Sequence, residues 1–75
     1  MSTERSFVLR TEYITLGQFL KAADVVSSGG EAKEMIAAGG LVVNGESEAR
    51  RGRKLRIDDV VTLLNGNTIR LVDKS

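Results

Sequence analysis

The sequence predicts an α+β fold in which two short helices pack on a small, mostly antiparallel sheet. Three observations carry this. Residues 15–26 and 28–38 repeat apolar side chains at helical spacing, each behind a helix-start signal. Residues 41–43, 60–64 and 68–72 are short runs rich in Val, Leu and Ile, and two of them end on Asn-Gly. Finally, 75 residues make one thin-cored domain that buries roughly 60% of its unfolded surface, so the helices must share one face of the sheet. Residues 1–75 read as a single domain.

The elements follow in order. Ser6 to Arg10 reads as a strand with Phe7 and Leu9 on one face. The first helix starts at Thr15, because Gln18 three residues on completes a capping box. Leu16, Phe19, Leu20 and Ala23 form its buried stripe, and Val25-Val26 close it with apolar mass before Ser27. The second helix takes Ser28 as N-cap with Glu31 as reciprocal partner, buries Ala32, Met35 and Ile36, and stops at Gly39-Gly40. Leu41-Val42-Val43 is a strand that turns at Asn44-Gly45 into a short or irregular return. Val60 to Leu64 and Thr68 to Val72 form a second hairpin around Asn65-Gly66-Asn67. The expected order is β-α-α-β-(basic loop)-β-β.

Composition narrows the chemistry. Hydrophobic residues at 41% and charged residues at 28% suit a folded domain, not a disordered tail. There is no His and no Cys. That removes the usual general base near neutral pH, the commonest metal ligands and disulfides. Asp58 and Asp59 are adjacent, so on a strand they point to opposite faces and read as a polar turn instead of a dyad. The chain therefore reads as not an enzyme, with no cofactor and no metal. No apolar run approaches the ~20 residues that span a bilayer. MSTERSFVLR lacks a signal-peptide core, so a cytoplasmic place and no membrane partner are expected.

Charge is concentrated. RRGRKLR, residues 50–56, holds five cations: Arg50, Arg51, Arg53, Lys54 and Arg56. The rest of the chain has 6 basic against 10 acidic residues, although the total is only +1. Such a patch in a mildly acidic body suits a local anionic partner. Arg forks match phosphate oxygens, and a turn at Gly52 would fan the flanking cations outward. The competing reading is a solvated loop balanced by Glu46, Glu48, Asp58 and Asp59. A second anion site is the start of the second helix, where Ser28, Gly29 and Gly30 expose N–H groups and Lys33 lies one turn in. Capping alone also accounts for Ser28 and Glu31. Of three aromatics, Phe7 and Phe19 belong to core faces and only Tyr13 is available for stacking. Folded or duplex RNA, recognised by shape and phosphates, fits that poverty better than a splayed single strand.

ITLGQFLK, SSGGEAKEMI, AAGGLVVNGE and RRGRKL, in this order across roughly residues 14–63, resemble the S-four RNA-binding domain. This is the αL motif named after ribosomal small-subunit protein four. The resemblance is closest to small stand-alone bacterial members of the YaaA and YbcJ type, with strands 6–10 and 68–72 flanking the family core. It implies two helices on a small sheet and binding of structured RNA, often ribosomal or transfer RNA, through the two-helix face and adjoining loops. It further implies that Lys33, Asn44, Gly45 and the loop cations Arg50, Arg51, Arg53 and Lys54 face RNA. Gly29 stands where many appended members carry Arg, and Thr15-Leu16-Gly17 where they open the helix with Arg-Leu-Asp. Two usual phosphate contacts are thereby missing, and charge shifts to the loop.

The expectation is a non-catalytic monomer gripping structured RNA, with ribosomal RNA a candidate. Arg50, Arg51, Arg53 and Lys54 neutralise phosphates. Lys33, with Ser28 and Gly30 at the helix N-terminus, extends the site, and Lys21, at the end of the first helix, is a further candidate. The alternatives are a protein-interaction module docking an acidic partner, and an RNA-guiding accessory of a modifying enzyme. DNA is a further competitor, since only contacts to the 2′-hydroxyl separate it from RNA.

Overall fold

The computed structural model describes residues 4–74. Seven strands and two helices follow in the order β1 (Glu4–Val8), β2 (Ile14–Thr15), α1 (Leu16–Ala22), α2 (Gly29–Ala38), β3 (Val42–Val43), β4 (Glu46–Ser47), β5 (Lys54–Leu55), β6 (Val60–Thr62) and β7 (Thr68–Val72). Five strands form one sheet in the order β1-β7-β6-β3-β4. All its pairs are antiparallel except β1–β7, which runs parallel. The α+β architecture expected from the sequence is present.

The first strand sits two residues earlier than the sequence pattern suggests. Its parallel ladder pairs Glu4 with Thr68 through Val8 with Val72, and the Leu9 amide still donates to the Val72 carbonyl at 2.9 Å. Phe7 and Leu9 keep the shared inward face: Leu9 is buried, and Phe7 meets Phe19 edge-on with ring centroids 5.2 Å apart. Arg5, on that same face, donates from Nη2 to the Ala23 carbonyl at 3.0 Å. A cation there complements the negative end of α1.

Helix α1 begins as expected. Thr15 Oγ1 accepts from the Gln18 amide and Gln18 Oε1 from the Thr15 amide, which completes the capping box. Leu16, Phe19, Leu20 and Ala23 are all buried. The helix stops because Asp24 adopts φ 62°, letting Val25 donate to the Leu20 carbonyl and Asp24 to that of Lys21. That pair of bonds is a Schellman motif with Asp in the place glycine favours. Helix α2 starts at Ser28, whose Oγ accepts from the Glu31 amide. Here the expected reciprocity is shifted by one residue: Glu31 Oε1 accepts from Ser27, not Ser28.

The second hairpin is shorter on one side than expected. Leu63 and Leu64 leave the strand, since Leu63 N donates to Asn67 O and Gly66 N to Leu63 O across the turn. Leu64 folds over Gly40 instead. Asp58 and Asp59 lie at a turn, with Asp58 at φ 77° and the Asp59 carboxylate accepting from Arg56 N and Asn44 Nδ2. The larger departure is a second sheet. Ile14 pairs with Leu55 and Thr15 with Lys54, so part of the basic segment is itself a strand. Leu55 is fully buried among Leu16, Phe19, Leu20, Leu41 and the β6–β7 apolar residues. One leucine inside the run of cations thus anchors it to the core.

Candidate nucleic-acid interface

The basic loop is fixed to the start of α1 by backbone chemistry. The first N–H groups of a helix lack intrahelical acceptors. Here Leu16 N donates to the Arg53 carbonyl at 2.8 Å and Gly17 N to that of Arg51 at 3.0 Å. Gly17 is buried, and a Cβ added there would come within 2.7 Å of Arg51 Cγ. The missing side chain lets the Arg51 stem lie across the helix, while the β2–β5 ladder fixes Lys54 and Leu55.

The five cations then divide. Glu48 is 7% exposed, and its carboxylate accepts from Arg50 Nε (3.0 Å), Arg50 Nη2 (3.2 Å), the Arg50 amide (3.1 Å) and Arg53 Nη1 (2.7 Å). Hydrogen bonds from Arg50, then from Arg53, outweigh burial and hold this carboxyl down at about 2. The same ion pair raises the Arg50 guanidinium further. The outward fan expected around Gly52 is therefore incomplete. A buried carboxylate must be paired, so Arg53 is drawn in to 27% side-chain exposure, while Arg50 stays 74% exposed. Of the four acids weighed as a balance for the loop, Glu48 forms its ion pairs with Arg50 and Arg53.

Arg51, Lys54 and Arg56 are exposed. Arg51 and Gly52 form one wall of a notch whose other walls are the start of α1 (Thr15, Gly17), Lys21, and Gly29 and Ala32 of α2. Arg50, Gly52, Arg53, Lys54 and Arg56 line a second, adjoining concavity. Two helix N-termini and the loop thus converge. Ser28 caps α2, with Gly29 and Gly30 in its first turn, and a Cβ at Gly29 would meet nothing within 4 Å. Lys33 is exposed on α2 but lies outside the notch. Asn44 and Gly45 sit in the β3–β4 turn, away from the notch lining. The Asn44 side chain is engaged there, with Oδ1 accepting from Val60 N and Nδ2 donating to Asp59.

Tyr13 and Arg56, outside the residues expected from sequence to contact RNA, join this surface. Tyr13 is 40% exposed, with Lys54 Nζ 4.9 Å and Arg56 Cζ 5.9 Å from its ring centre. The signal available was Tyr13 standing immediately before a strand that pairs with the basic segment, but that pairing is not legible from sequence. Among the described residues, no group of three or more Asp and Glu side chains is placed to hold a metal, and no helix is long and apolar enough to cross a membrane.

Comparison with known proteins agrees with this geometry. The family model described as S4 domain matches residues 7–72. A curated relative from Bacillus subtilis (strain 168), "Probable ribosome maturation protein RlbA", is 49% identical over 63 residues, covering 84% of this chain and 89% of that protein. Two helices, the capped start of α1, the Gly-terminated α2 and the basic loop all fall inside the matched span. The chain belongs to the S4 domain family of RNA-binding modules.

Proposed function

We propose that this chain is a non-catalytic module that grips the phosphate backbone of folded RNA across the notch between the loop and the two helix N-termini. The observation that carries the reading is the capping of α1 by the loop's own carbonyls, which holds Arg51 opposite the α2 N-terminus before any ligand arrives. Pre-ordered cations lose little entropy on binding, and an N-terminal dipole favours the same anion. Arg51, Lys54, Arg56 and Lys21 are the proposed contacts, with Arg50 shared between Glu48 and a phosphate. Lys33, Ser28 and Gly30 extend the site along α2; Asn44 and Gly45 act chiefly in shaping the β3–β4 turn. The name of the Bacillus subtilis relative speaks of ribosome maturation, which directs the proposal to ribosomal RNA and a cytoplasmic place of work.

The test is a fluorescence-anisotropy titration of a folded RNA hairpin and the matching DNA duplex at several salt concentrations. The variant is the triple change Arg51→Ser, Lys54→Ser and Arg56→Ser. It leaves Arg50 and Arg53 on Glu48, so the buried carboxylate keeps its partners. Each phosphate contact contributes about −0.7 to −0.9 to the slope of log affinity against log salt. The triple variant should therefore flatten the slope by about 2–3, with RNA preferred over DNA in the parent. Absence of RNA binding, or an unchanged slope, would overturn the proposal.

A further inference from the structure

The surface beside the basic loop is not uniformly suited to phosphates. Next to the notch runs a more apolar groove walled by Tyr13 and Ile14 on one side and by Gln18, Lys21 and Ala22 of α1 on the other. Gln18 and Lys21 line both depressions, so groove and notch are continuous. The backbone of Tyr13 is fixed in the groove wall. Its carbonyl accepts from Thr11 Oγ1 at 2.8 Å, and the β2–β5 ladder begins at the next residue. Its ring is flanked by Lys54 and Arg56 and is exposed among polar and charged neighbours. Glu12, at the groove's lip, disfavours a phosphate there and offers an acceptor instead.

From this placement we infer that the groove takes one unpaired nucleotide of the bound RNA, its base stacked on Tyr13 and its phosphate held by Lys54 and Arg56. The inference rests on the RNA-binding reading and adds the substrate class: a duplex interrupted by an unstacked nucleotide, not a continuous helix. A π-face beside two cations suits a nucleotide because base and phosphate are one sugar apart, and such stacking tolerates any base. A stacked base also accounts for an aromatic left half-exposed in a chain with only three. A wholly paired helix offers no base face to the ring.

The experiment compares two labelled RNA hairpins at fixed salt, identical except for one bulged adenosine in the stem. Each is titrated with the parent chain, Tyr13→Phe and Tyr13→Leu. A parallel pair carries 2-aminopurine at the bulge. The parent and Tyr13→Phe should bind the bulged hairpin about tenfold more tightly than the paired one, and should quench the 2-aminopurine. Tyr13→Leu should lose both the preference and the quenching while still binding the paired hairpin. Leu keeps apolar bulk, and unchanged circular dichroism shows that the fold is kept. Equal affinity of the parent for the two hairpins, or a preference that survives Tyr13→Leu, overturns the nucleotide groove and leaves RNA binding standing. Failure to bind either hairpin overturns the RNA-binding reading and the groove with it.

Discussion

Replacing Glu48 by Gln should lower stability by an amount that disappears in acid. Glu48 holds a carboxylate in a buried position through four hydrogen bonds from Arg50 and Arg53. A carboxyl held at about 2 instead of 4.5 corresponds to about 3 kcal/mol of extra stabilisation of its charged form. Arg50 is three-quarters exposed, and water screens that pair, which reduces the figure to about 2 kcal/mol. The native value lies below the unfolded one, so the contribution is complete above about pH 5. It is lost as pH falls through 4.5 toward 2. Gln cannot ionise, and its amide N–H₂ meets guanidinium donors. A domain of this size is stable by roughly 4–11 kcal/mol, so the variant should remain folded at pH 7 and be measurable. Urea unfolding followed by circular dichroism between pH 7 and pH 2 should show a gap of about 2 kcal/mol that narrows below pH 4.5. A gap under 0.5 kcal/mol at pH 7, or one that does not change with pH, would refute the role assigned to the buried carboxylate.

Two further perturbations test the backbone and the notch. Gly40 and Gly45 both take left-handed φ, 90° and 85°, but a Cβ at Gly40 would overlap Leu64 while one at Gly45 meets nothing within 4 Å. Gly45→Ala should cost about 1 kcal/mol from strain alone, and Gly40→Ala about 2–3 kcal/mol, because Leu64 must also move; equal midpoints in thermal unfolding would refute the difference. Gly29→Arg adds a guanidinium at the open rim of the notch. It should strengthen binding of an RNA hairpin several-fold and steepen the salt dependence by about 0.7–0.9. Helix propensity gains up to about 1 kcal/mol there, against about 0.3–1 kcal/mol for a cation at a helix N-terminus, so stability should hardly move. Unchanged affinity in an anisotropy titration would remove the α2 N-terminus from the proposed interface.

Local rules carried much of the fold. Thr15 with Gln18, Ser28 before α2, and the apolar stripes of both helices are short-range signals, and each stands where its spacing places it. The Asn44-Gly45 turn follows from two positive φ values that those residues tolerate. The misjudged parts are those decided at long range. The parallel β1–β7 ladder joins residues more than sixty positions apart and pulls the first strand toward the N-terminus. The β2–β5 pair leaves no alternation to read, since each strand has two residues.

The candidate site shows the same division with a sharper consequence. Sequence locates the positive charge, because five cations in seven positions need no structure to be seen. It does not say which cations remain available, because that depends on where an acid is buried. Glu46, Glu48, Asp58 and Asp59 are equivalent in a charge count, yet Glu48 is the one that bridges Arg50 and Arg53. Its bonds take Arg53 largely out of solvent and fix the backbone of Arg50, while the Leu16 and Gly17 amides take the carbonyls of Arg53 and Arg51. The internal ion pairs therefore work in two directions. They subtract from the charge presented to an anion, and they hold Arg51 in a defined place beside the notch instead of on a mobile loop. A net charge of only +1 limits indiscriminate attraction to polyanions, so specificity in such a molecule has to come from position. That is why the triple change at Arg51, Lys54 and Arg56, which spares the ion pairs, separates charge presented from charge used to build the loop.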